Sequence, residues 1–360
     1  MSKLRFAVIG TGHLGRIHAK LLGQVDGAQL VAVSDPNEPA RQQVADQHDV
    51  PAYANYRDCI ESIDAAVVAS PTDTHADVVG DLLRAGKHVF VEKPLTIDRE
   101  DARRLALLAS ARRSTLQVGH VERFNPAFTA LGNLGVDVKY VEAVRASSFP
   151  GRCLDVGVVM DLMIHDLDLV LSFTDAAVRS VSSSGLSVIS DHEDLAEARI
   201  EFECGLVACL KASRISPAPA RQMQVYGANG YADIDFGGPS LSVVRPSETV
   251  SNRSFDLFAE TDNPLDYSGR LFSERLCCET LDLEPRNAIL DELHDFVISV
   301  QTGMAPTVDG AAGAYAVDVA QRVLESIEQR CWYADATESE TGPHAVRRER
   351  IENATRRRAA

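Results

Sequence analysis

Residues 6–15, Phe-Ala-Val-Ile-Gly-Thr-Gly-His-Leu-Gly, constrain this chain more than any other stretch. A short apolar run breaks into three glycines, and from Arg16 to Leu22 apolar residues resume at helical spacing. That order reads as a strand, a tight turn and a helix start. Gly10 permits the turn, Gly12 lets the backbone approach a pyrophosphate with no Cβ in the way, and Gly15 lets helix and strand pack closely. Phosphates bound there meet unpaired N–H groups at the positive end of a helix dipole. Taken alone, a G-x-G-x-x-G pattern is common and weak. Here a second apolar run, residues 30–34, ends in Asp35, twenty residues after Gly15, where such a fold places the acid that binds both hydroxyls of an adenosine ribose. Pro36 and Asn37 follow, with no arginine to receive a 2′-phosphate, so the spacing favours NAD over NADP.

Apolar strands alternate with helical patterns through the first third of the chain. Strands are expected over 6–9, 30–34, 65–69, 88–91 and 116–119, and helices over 13–22, 38–47, 73–85 and 98–112. This alternation predicts an α/β domain whose parallel sheet carries helices on both faces. The pattern changes near Arg123-Phe-Asn-Pro126, where Pro126 suits the first turn of a new helix. Beyond it, alternating runs over 139–147, 179–186, 197–204, 205–211 and 222–228 predict an open, mostly antiparallel sheet. Residues 246–269 are polar and irregular and read as a surface loop, after which helices return over 287–302 and 309–328. The expected domains are 1–122, then 123–335, then an Arg-rich, disordered tail over 336–360.

A chain of 360 residues that is 45% hydrophobic holds two cores. Its formal charge of −16 opposes a nucleic-acid footprint, which needs clustered Lys and Arg. Seven cysteines show no C-x-x-C pair and no zinc spacing, so no metal site is expected, and free thiols point to a reducing, cytoplasmic setting. No apolar run approaches the ~18 residues of a membrane span.

Two stretches carry chemistry. Glu92-Lys93-Pro94 closes a buried strand at its carboxyl end, where open α/β sheets bind ligands. A lysine held there can donate a hydrogen bond or a proton to a developing alkoxide. Its plain alternative is an ordinary loop lysine. Residues 156–173 read as an apolar helix on which Asp161, His165 and Asp168 share one stripe. Asp161 could orient the imidazole while His165 takes a hydroxyl proton; a core histidine satisfied by its own helix is the alternative.

Together, Gly10-Thr-Gly-His-Leu-Gly15, Ser70-Pro-Thr72 with His75, Glu92-Lys-Pro94 and Asp161-x3-His165 resemble the Gfo/Idh/MocA oxidoreductase family over residues 1–335. The resemblance implies an N-terminal Rossmann domain and a C-terminal α/β domain whose open sheet often forms a subunit interface, so a homodimer or homotetramer. It implies Lys93, Asp161 and His165 as the catalytic trio. By the same carry-over, Gly10, Gly12, His13, Leu14, Gly15, Asp35, Ser70, Thr72, His75, Glu92 and Lys93 line NAD. A finer resemblance, carried by residues 117–126 and 155–168, is to the branch acting on the 3-hydroxyl of UDP-N-acetylglucosamine. It implies substrate contacts at Arg123 and Asn125 beside Lys93, Asp161 and His165. Arg123, Arg152, Arg214 and Arg221 are the candidate diphosphate donors, no more than two of them touching ligand. A simple-sugar or inositol dehydrogenase, a reductase of a non-sugar carbonyl or cyclic imine, and a non-catalytic dinucleotide or sugar sensor on the same fold are the competing readings.

Overall fold

The computed structural model describes residues 3–149 and 156–329. By contact the chain divides into two units, Met1–Phe124 with Arg286–Gln321, and Asn125–Pro285 with Arg322–Ala360.

The first unit is built on six parallel strands: β1 (Leu4–Ile9), β2 (Ala28–Ser34), β3 (Ala52–Tyr53), β4 (Ala65–Val68), β5 (His88–Glu92) and β6 (Leu116–Gly119). Their order is β3-β2-β1-β4-β5-β6, the Rossmann arrangement, in which the chain reverses direction across the sheet between β1 and β4. Helices α1 (His13–Leu22), α2 (Glu38–His48), α3 (His75–Arg84) and α4 (Arg99–Arg112) alternate with them. Strands shielded on both faces must be apolar throughout, and Ala65–Val68 is wholly buried. Asn37 caps α2 by accepting from the Ala40 N–H, and Asp98 caps α4 by accepting from Glu100 and Asp101.

Residues 286–321 return to this unit, whereas the sequence placed them in the second domain. The reason lies in the core. Phe296, on the later helix Ala288–Thr302, packs edge-on against Phe6 and Phe90, ring centroids 5.9 and 6.0 Å apart. Removing a ring buried like this costs about 3–5 kcal/mol, and sequence periodicity does not say which sheet such a helix covers.

The second unit holds eight strands: β7 (Val138–Ala146), β8 (Val178–Leu186), β9 (Leu195–Phe202), β10 (Val207–Ser213), β11 (Ala220–Gly227), β12 (Gly230–Asp235), β13 (Ser240–Pro246) and β14 (Leu276–Leu281). Their order is β14-β13-β12-β11-β7-β10-β9-β8; β7 and β10 run parallel and the other pairs antiparallel. Alternation puts Val141, Ala143 and Arg145 on the covered face and Glu142 and Val144 on the open one. On that open face Tyr226 lies 5.7 Å from Tyr140 and 4.8 Å from Tyr231, centroid to centroid.

Two expectations for this unit fail. The loop expected over 246–269 folds instead into short helices Glu248–Ser251, Leu257–Glu260 and Pro264–Glu274. Asp256 and Asn263 cap the last two, and Pro264 opens one, so residues that read as loop punctuation act as helix starts. The stretch expected as one α-helix begins with a π-helical turn, Val159–Met163, before continuing as Ile164–Leu171. The tail over 336–360, with Arg152, Cys153 and Cys331, lies outside the described residues. The described cysteines, Cys59, Cys204, Cys209, Cys277 and Cys278, are free thiols, and no described helix is long and apolar enough to cross a membrane.

Candidate active site

In the first unit the glycine turn is shaped for a pyrophosphate. Gly10 takes φ +90°, and a Cβ there would press on the backbone of Ala69 and Ser70, at the end of the neighbouring strand. At Gly15 a Cβ would overlap the Gly10 carbonyl. Around Gly12, by contrast, the space is open, and this residue caps α1 without any side-chain hydrogen bond. His13 and Leu14, in the first helical turn, are exposed. Helix N–H groups facing an open space with no Cβ in it fit an anion, so the turn meets the requirement for NAD phosphates.

Asp35 follows β2 and is fixed from three sides. One carboxylate oxygen accepts from the Thr11 N–H and hydroxyl at 2.7 and 3.1 Å, and the other accepts from the Asn37 N–H at 2.8 Å. After β4, the Ser70 hydroxyl lies 2.7 Å from that of Thr74, and Thr72 opens a 3-10 turn. His75 is 1% exposed, its ring nitrogens 3.0 Å from the Pro94 carbonyl and 2.9 Å from the Ser70 carbonyl. Burial pushes it below its ordinary value against the pull of the two carbonyls, and the ring braces the loop after β4 against the loop after β5. Glu92 ends β5, and Lys93, half-buried, follows it directly through a cis peptide to Pro94.

In the second unit, every residue from Val156 to Val170 is buried except Asp161, Leu162 and His165. Two of the three are the residues assigned to chemistry. Asp168, placed on the same stripe by the sequence, is 1% exposed. Asp166 is buried too, in a forked pair with Arg145 whose closest contact is 2.7 Å.

The segment between β8 and β9 holds the start of the π-turn. The Glu193 carboxylate accepts from the Val159 N–H at 3.1 Å, and the Glu193 carbonyl accepts from the Val158 N–H at 3.0 Å. Gly157 is required at this contact, since a Cβ there would collide with the Glu193 carboxylate. Asp194 accepts from the N–H groups of Val188, Ile189 and Ser190 and from the Arg214 guanidinium, which also donates to the Val156 carbonyl. Arg214 is therefore no diphosphate donor. It is wholly buried and spent on the turn that carries Asp161. Asn125 is likewise committed: it is 7% exposed and caps Pro126–Gly132 by accepting from the Ala127 N–H. Arg123 is half-buried in the 3-10 turn Val121–Phe124, and Arg221 is exposed. Sequence spacing gave no hint of Glu193 and Asp194, which reach Val159 and Arg214 only through tertiary folding.

Residues 4–120 match the model of the Gfo/Idh/MocA oxidoreductase family, NAD-binding Rossmann fold, and residues 137–233 match a Gfo/Idh/MocA C-terminal domain. The chain is 34% identical over 330 residues to the UDP-N-acetylglucosamine 3-dehydrogenase of Acidithiobacillus ferrooxidans, covering 91% of this chain and 98% of the relative. The chain belongs to the Gfo/Idh/MocA oxidoreductase family. The solved structure of that Acidithiobacillus enzyme superposes with a TM-score of 0.79 at 33% identity, again covering 91% and 98%. The scyllo-inositol 2-dehydrogenase (NAD(+)) of Bacillus subtilis is 32% identical over 234 residues, 60% of this chain and 68% of the relative. As a family member the chain is an NAD-binding dehydrogenase whose relatives act on sugar hydroxyls.

Proposed function

We propose that this dehydrogenase oxidises the 3-hydroxyl of UDP-N-acetylglucosamine to the ketone. The observation that carries the chemistry is the pair of partly exposed titratable groups, Asp161 and His165, in an otherwise buried stretch. Holding an acid and an imidazole half-buried in an apolar helix start costs desolvation free energy, which a polar ligand meeting them offsets. His165 takes the hydroxyl proton as the C=O bond forms, and Asp161 orients the imidazole. Lys93 donates a hydrogen bond to the developing alkoxide from the end of β5. When bound, NAD supplies the acceptor for the hydride that leaves the same carbon. Gly10, Gly12, His13, Leu14, Gly15 and Asp35 hold it, with Ser70, Thr72 and Glu92 lining it and His75 bracing their loops.

The substrate reading is supported by the 34% identity that extends over 98% of the Acidithiobacillus enzyme. Arg123 is the remaining cation of choice for the diphosphate, now that Arg214 is withdrawn. The thiols of the described cysteines suit a cytoplasmic setting, and the open, tyrosine-bearing sheet face suits pairing with a second copy. The test is isotopic. With UDP-N-acetylglucosamine deuterated at C3, the reduced cofactor should carry the label; reduced cofactor without label would overturn the 3-position.

A further inference from the structure

His18 on α1, Glu92 at the end of β5 and Glu292 on Ala288–Thr302 converge inside the first unit, their ligand-type atoms all within 4.8 Å of one another. His18 and Glu292 are 0% and 1% exposed, and the Glu92 side chain keeps 12%. The His18 Nε2–H donates to Glu92 Oε1 at 2.6 Å. Glu292 Oε2 has no hydrogen-bond partner among the described residues, and Gln117 donates to the Glu292 carbonyl rather than to its side chain. Two carboxyls this close, with one imidazole between them and water, do not both carry charge. Something must neutralise one of them, and the choice is a proton or a cation. Ligands of a bound zinc sit at about 2.0–2.2 Å from the ion, which holds neighbouring ligand atoms about 3.3 Å apart. The 2.6 Å approach of His18 to Glu92 is shorter than that and is a hydrogen-bond distance.

We propose that Glu292 holds a proton rather than a charge, and that with His18 it fixes Glu92 as the lone carboxylate preceding Lys93, making Glu292 a positioning residue for proton transfer at that lysine. The charged and titratable groups acting on the pair come from each packed element. They are His18 from α1, Lys93 from the loop just after β5, His75 from α3 and Asp295 from the helix of Glu292 itself. Burial, then the charges of Glu92 and Asp295, raise the Glu292 carboxyl well above its ordinary value. Burial also pushes Glu92 up, but the His18 hydrogen bond and charge, with Lys93 and His75, outweigh it and leave Glu92 below its ordinary value. The two acids are thus pushed in opposite directions.

This inference rests on the reading of Lys93 as a proton-transfer group, and the test separates the two. Infrared spectra of the full chain at neutral pH should show the C=O stretch of a protonated carboxylic acid, lost in Glu292→Gln. Loss of carboxylate bands instead would overturn the proposal, as would one equivalent of divalent metal retained by the native chain and lost by the variant. With NAD and UDP-N-acetylglucosamine, turnover of Glu292→Gln at neutral pH should match the native chain within about twofold, since glutamine copies the neutral acid. Glu292→Leu is uncharged as well, so neither variant can place a second negative charge beside Glu92 as pH rises. The native pH–turnover profile should carry an alkaline step where Glu292 releases its proton, and both variants should lack it. An alkaline step absent from the native profile, or retained in both variants, would overturn the positioning role. If Lys93→Ala kept native turnover, the catalytic reading would fall, while the infrared band would still report on Glu292.

Discussion

Each unit buries a polar cluster against residues assigned to chemistry, and the two clusters are built in opposite ways. In the second unit Arg214 and Asp194 are both wholly buried and saturated with hydrogen bonds, so charge is matched by charge. In the first unit Glu92 and Glu292 converge on a single imidazole, and in the proposal above charge is matched by a withheld proton. An ion pair of fixed charges holds a backbone turn, which need not change during turnover. A proton-matched cluster next in the chain to Lys93, the proposed proton-transfer group, can respond to it. The difference teaches that preorganisation here is rigid where a helix must be aimed and titratable where proton transfer is proposed.

The largest expected effect asks whether these clusters serve chemistry at all. Lys93→Ala and His165→Asn should each lower turnover by about 10²–10⁴, with NAD affinity held within about tenfold. Loss of affinity equal to the loss of turnover would make Lys93 a binding residue. Next, Arg214→Met leaves Asp194 buried without its cation and should cost about 3–5 kcal/mol of stability in urea titration. Glu292→Gln, which replaces a neutral acid by its neutral analogue, should cost less than about 1 kcal/mol. Equal losses would erase the contrast between the clusters.

How much of this was legible in the chain follows the same contrast. Motifs local in sequence could be read. Gly10 and Gly12 lead into α1 and Gly15 lies in its first turn, Asp35 follows β2 and Lys93 follows β5, all where spacing predicts, because a strand–turn–helix fixes its own chemistry within a few residues. Assignments that needed tertiary partners failed. Arg214 reads as a candidate diphosphate donor because a sequence does not show that Asp194, twenty residues earlier, is waiting for it in the interior. Periodicity reads Val159–Met163 as α, since the bonds Glu193 makes to the Val158 and Val159 N–H groups come from another segment. Glu292 looked like one acid among many on an amphipathic helix.

A smaller effect concerns the cofactor. Asp35→Ser should narrow the preference for NAD over NADP by about tenfold, because a like-charge contact with the 2′-phosphate is removed. Competitive binding titrations of the two cofactors measure it. The smallest effect is the pH dependence of stability, where the clusters carry opposite signs. Burial alone would raise Asp194, but the N–H groups around it and Arg214 hold it far below its ordinary 3.8, so its contribution is present above that value and lost as pH falls. Glu292 is raised, so the folded state binds a proton that the unfolded chain has released above the ordinary 4.5, and stability declines as pH rises from there towards its folded value. Glu193, raised by burial, shares the sign of Glu292. Urea midpoints between weakly acidic and neutral pH should therefore slope less in Glu292→Gln than in the native chain.

The most direct measurement of the central claim is the specificity ratio between UDP-N-acetylglucosamine and free N-acetylglucosamine, read as kcat/KM from NADH absorbance. Binding energy from the uridine diphosphate, remote from the reacting carbon, should favour the conjugate by about 10²-fold or more. Equal reaction of the free sugar or of myo-inositol would contradict the nucleotide-sugar assignment.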